Sequence, residues 1–166
     1  MNLKLSLILL LTPFLSISQD FKLKDFNREK MIAEREKQNY ESNVIYMYLY
    51  QKYDSISSKH SIKYLNYPDY GICSFKQEFE HQISFYLSSC KEAGGSSVRL
   101  ILPSNMDMQN LKSWVEKIYN SAPFEGVPHQ WNSTGNKFEP IDQGAGCYYE
   151  IKKLENTTLV TCHCGC

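Results

Sequence analysis

An apolar run from Leu5 to Leu15 follows a single early charge, Lys4, and ends in the small residues Ser16 and Ser18. That order predicts a signal peptide over 1–18, cut between Ser18 and Gln19. The run is shorter than the roughly 20 residues that span a bilayer, and no second such run follows, so no membrane span is expected after removal. Beyond the leader the apolar positions become periodic. Ile45, Tyr48, Leu49, Tyr53 and Ile56 recur at steps of three and four, predicting an amphipathic helix, with the charged "NREKMIAEREKQ" before it as a solvated helical face. "LNYPDYGIC" reads as a loop. Ser74 to Ala93 predicts a second helix: Ser74 and Gln77 are spaced as a capping box, and Phe75, Phe79, Ile83, Tyr86 and Cys90 form one stripe. Phe79, His81, Ile83, Phe85 and Leu87 in the same segment also alternate as a strand does.

"SVRLILP" predicts a short buried strand. Ser104 to Asn120 predicts a helix capped at Ser104, with Met108, Leu111, Val115 and Ile118 on one side. Ser121 to Gly146 is rich in Pro, Gly and Asn and reads as one long loop, a length often functional. "CYYEIKK" and "TTLVTCHC" predict a hairpin turning at Glu155-Asn156. The expected fold is α+β: a three-layer α-β-α sandwich, with helices on both sides of a small mainly antiparallel sheet, in one disulfide-containing domain over 19–166.

Six cysteines remain after the leader is cut: Cys73, Cys90, Cys147, Cys162, Cys164 and Cys166. An even number in an oxidising compartment predicts disulfides, three if all pair. A two-residue turn at Glu155-Asn156 sets Cys147 opposite Cys164, and a register shifted by two sets it opposite Cys162; in either case the sulfurs share one face. Zinc is the rival reading of "CHCGC". Alternate strand positions turn His163 away from Cys162 and Cys164, so those three cannot reach one ion while the strand stays extended.

Composition and charge narrow the partners. The formal net charge is +0, and loss of Lys4 with the leader makes it −1, so nothing attracts a nucleic-acid backbone. Twelve tyrosines supply rings that pack while their hydroxyls stay wet. No nucleophile elbow, phosphate-cradling glycine loop or zinc-protease helix is present, and no catalytic residue is assigned.

Over about Asn105 to Gly165, "LKSWVEKIYNS", "PHQW", "DQGAGCYYEI" and "LVTCHCG" give an order of features that resembles the CAP superfamily of secreted proteins, the cysteine-rich secretory, antigen 5 and pathogenesis-related group. The resemblance implies an α-β-α sandwich (the SCP domain) with two histidines and acidic residues around a cleft. His129 would be the second histidine and His81, or less well placed His60, the first; Trp131 and Glu116 join them as candidate binding residues. It also implies the one cofactor considered, a divalent metal in that histidine cleft; otherwise no cofactor or metal is expected. The function expected is a non-enzymatic, secreted or periplasmic domain that binds a small apolar ligand or an extracellular protein. The alternatives are an unrelated disulfide-stabilised inhibitor or adhesion module, and an exported hydrolase using His129.

Overall fold

A computed structural model of the chain describes residues 19–39, 42–62, 74–89, 95–122 and 127–165. The expected leader, the loop around Pro68 and Gly71, and Cys73, Cys90 and Cys166 lie outside the described residues.

The first periodic segment forms two helices. Asn27 caps α1 (Arg28–Lys37) by accepting from the Lys30 N–H, and Asn43 caps α2 (Val44–Lys52) by accepting from Ile45 and Tyr46. Within α1, Met31 and Arg35 are buried one turn apart. α2 ends at an extended Tyr53, so Ile56 lies beyond it and is 65% exposed.

After the short β1 (His60–Ile62), the segment expected as a second helix is a hairpin, β2 (Ser74–Phe79) and β3 (Ile83–Ser88). The helical stripe omits Phe85, yet Phe85 is fully buried. Period-two alternation sends Phe75, Gln77, Phe79, Ile83 and Phe85 to one side together. His81 and Gln82 take positive φ, 59° and 60°, in the turn.

β4 (Ser96–Pro103) leads to α3 (Met108–Tyr119). The cap of α3 is Asp107, not Ser104, because the Asp107 carboxylate accepts from the Asn110 N–H at 2.9 Å. The segment that precedes α1 is tied here too: Phe21 bridges to Met106, and the Leu23 N–H donates to Asn110 Oδ1 at 2.7 Å. The Pro/Gly-rich stretch holds a further hairpin, β5 (His129–Trp131) and β6 (Lys137–Pro140), and is followed by β7 (Gly146–Lys153) and β8 (Thr157–Gly165).

Among the described residues the strand ladders are all antiparallel, and the sheet runs β1-β2-β3-β4-β8-β7-β6-β5. Two four-strand meanders thus meet at β4 and β8, with α3 carrying the chain from the centre to the far edge. This overturns the three-layer α-β-α sandwich: the sheet is large, and the three helices among the described residues pack into one core on one face. Tyr48 and Leu49 of α2 and Leu111, Trp114, Val115 and Ile118 of α3 join the inward Phe79, Phe85, Leu100, Tyr149 and Val160. The opposite face carries Lys76, Arg99, Lys152 and His163, all exposed. Polar residues at every second strand position permit that exposure, as antiparallel sheets commonly do.

Candidate ligand-binding cleft

The β5–β6 hairpin is held by its own turn. Asn132 Oδ1 accepts from the backbone N–H groups of Asn136 and Lys137, and Gly135 takes the positive φ of 66° that the turn needs. This fixes His129, Gln130 and Trp131 against the C-terminal end of α3.

Tyr119, on the last turn of α3, stacks on His129 with ring centroids 3.9 Å apart, and its hydroxyl donates to the Val127 carbonyl. Both ring nitrogens of His129 face backbone carbonyls: Nδ1 lies 2.9 Å from Val127 O and Nε2 2.9 Å from Cys147 O. A carbonyl oxygen thus stands beside each nitrogen, where a metal or a substrate would approach, so His129 acts here as a packing and orienting ring. Gly146 sits beside this ring, where a Cβ would crowd Pro140 Cγ at 3.1 Å.

The Trp131 indole Nε1 donates to Glu116 Oε1 at 2.6 Å, and its ring lies 5.2 Å from Phe138. Glu116 follows the buried Trp114 by two residues, so the same helix sends Trp114 into the core and Glu116 to the surface. Lys112 stands over the Trp131 ring, 5.2 Å from its centroid. Glu116, Tyr119, His129, Trp131 and Phe138 together line a cleft of about 490 Å³.

Three of the four expected binding residues therefore meet, and one does not. His81 sits in the β2–β3 turn, with ring contacts to Phe21 and Tyr53, and lines a separate hollow with Phe21, Lys22 and Asn105. His60 lies on the edge strand β1. The histidine pair expected from the family resemblance is not assembled in one cleft. Tyr119 and Phe138 were not expected as lining residues: Tyr119 closes the α3 stripe, and Phe138 lies in a stretch that reads as loop.

Beneath the cleft, Cys147 and Cys164 form a disulfide, in the register set by the two-residue turn: Leu154 N–H donates to Thr157 O at 2.8 Å, and Cys147 pairs with Cys164. Cys162 departs from the expectation that every cysteine pairs. It is a free, buried thiol opposite Tyr149, and burial pushes its pKa up to about 12. Among the described residues, no helix is long and apolar enough to cross a membrane. Compared with protein-family models, curated proteins and solved structures, the chain matches none.

Proposed function

We propose that the protein is an exported, non-enzymatic binding module that holds a small apolar ligand in the Trp131 cleft. The observation that carries this reading is the cleft's construction: the rings of Tyr119, Trp131 and Phe138 stand around about 490 Å³ that the polar Glu116, Asn120 and Gln130 also line. Aromatic side chains with polar groups that fix orientation are a usual make-up of small-molecule sites. Export is supported by the leader-like first 18 residues and by the Cys147–Cys164 disulfide, which fits an oxidising compartment. The engagement of both His129 nitrogens speaks against the hydrolase alternative.

Fluorescence tests it. Trp131 borders the cleft while the second tryptophan, Trp114, is buried, so an apolar probe such as N-phenyl-1-naphthylamine should quench part of the emission saturably. Trp131→Ala should weaken the probe's binding at least about tenfold, the equivalent of 1.4 kcal/mol. Equal binding by wild type and variant would refute the site.

A second reading, a protein partner, rests on β5 being the last strand of the sheet. An edge strand can accept an added strand, and the cleft beside it would then take a partner side chain.

A further inference from the structure

Three sulfur atoms converge on the core side of the β7–β8 hairpin. Cys147 and Cys164 are bonded, and Cys162 lies two residues before Cys164 on the same strand face. The Cys162 Sγ is 3.6 Å from that of Cys164, and all three Sγ atoms lie within 4.8 Å of one another. They border a cavity of about 250 Å³ that Arg35 of α1 and Tyr149 also line. The Arg35 guanidinium is buried, donates to the Ser121 carbonyl, and is close enough for its charge to act on the Tyr149 hydroxyl. Positive charge and three sulfurs thus border one pocket.

Around one ion, with metal–sulfur bonds near 2.3 Å, three thiolates in a plane have sulfur–sulfur edges of about 4 Å. The Cys162–Cys164 edge, 3.6 Å, is near that value already, and the Cys147–Cys162 edge is no longer than 4.8 Å. The third is closed by the disulfide bond, and its reduction opens it. His163, the neighbouring donor type on the strand, projects from the opposite face, so the described residues supply three soft ligands and no histidine. Zinc takes four ligands in structural sites, whereas thiolate-only sets also select the softer cuprous ion.

We propose that reduction of Cys147–Cys164 converts this cluster into a trigonal cuprous site formed by Cys147, Cys162 and Cys164, with Arg35 offsetting its negative charge. In the first step a dithiol reductant gives two electrons and two protons to the disulfide and becomes a cyclic disulfide, leaving thiols at Cys147 and Cys164. In the second, one cuprous ion displaces three protons and forms three metal–sulfur bonds, for a net charge of 2−. The site is therefore closed in the oxidised chain and open in the reduced one. Direct thiol–disulfide exchange is the competing chemistry of the same contact. Exchange only moves the one bond among the three sulfurs, whereas a bound ion displaces the thiol protons and holds all three at once.

The test uses the full mature chain, reduced with dithiothreitol, desalted without oxygen, and titrated with cuprous ion against bathocuproine disulfonate. Reduced wild type should hold one ion per chain more than reduced Cys162→Ser, and the oxidised chain should lack that ion as well. Independently of any variant, bound cuprous ion should slow maleimide labelling of Cys164, the half-exposed member, at least about tenfold in reduced wild type; mass spectrometry of the peptides reads this. Equal loading of the oxidised chain or of Cys162→Ser, or an unchanged labelling rate at Cys164, would overturn the site. Zinc held as tightly as the cuprous ion would overturn its selectivity.

Discussion

At the scale of single residues, the termini of helices and the buried core are where one side chain decides most. The Asp107 carboxylate sits at the start of α3, and the backbone N–H of Asn110, with Lys22 close by, holds its pKa below the ordinary value of 3.8. A depressed acid contributes stability above its unfolded pKa and loses it as pH falls through the folded one, so this contribution should fade below about pH 4. Asp107→Ala should lower Tm by about 2–4 °C at neutral pH, with a difference from wild type that shrinks on acidification, read by thermal melts across pH. Cys162 and Tyr149 have the opposite sign. Burial raises both, so the folded state keeps protons that the unfolded chain releases. Stability should therefore fall as pH rises from the ordinary thiol value of 9.0 towards 12, and Cys162→Ala should flatten part of that slope in urea titrations. In the core, Phe85 is fully buried, and Phe85→Ala should cost about 3–5 kcal/mol by chemical denaturation.

At the scale of elements, the β7–β8 hairpin was readable because its turn is short and its alternation continuous, so the register follows from a two-residue turn. The disulfide joins residues 17 apart in sequence. Opening it should cost about 3 kcal/mol, or roughly 6–12 °C in Tm, which a reducing melt measures. The β2–β3 hairpin was harder. Its apolar residues satisfy both a helical stripe and alternation, and local spacing does not separate the two. Burial of Phe85 and of Gln77, whose side chain accepts from the Tyr46 hydroxyl at 2.8 Å, decides for the strand. The loop expected over Ser121 to Gly146 hid β5 and β6, because strands of three and four residues are too short to show a period.

At the scale of the whole molecule, β4 and β8 lie at the middle of the sheet, and β1 and β5 lie at its ends. Amides of Val98, Leu100, Val160 and Cys162 should therefore be the slowest to exchange with solvent, and those of β1 and β5 the fastest. Hydrogen exchange that protected β5 as well as β4 in the isolated chain would contradict this topology. The candidate cleft lies beside the β5 edge, so a ligand held in it should slow exchange there first.

The sequence by itself determined the elements whose pattern is local and unambiguous: the α3 stripe, the β4 run, the terminal hairpin and the pairing of Cys147 with one of two cysteines. It also singled out Glu116, His129 and Trp131, which do share a cleft. Only the tertiary structure decided that the helices lie on one face, that His81 is remote from His129, and that Cys162 stays a thiol. Each of these depends on which surfaces meet across long separations in the chain, and periodicity measures only neighbours.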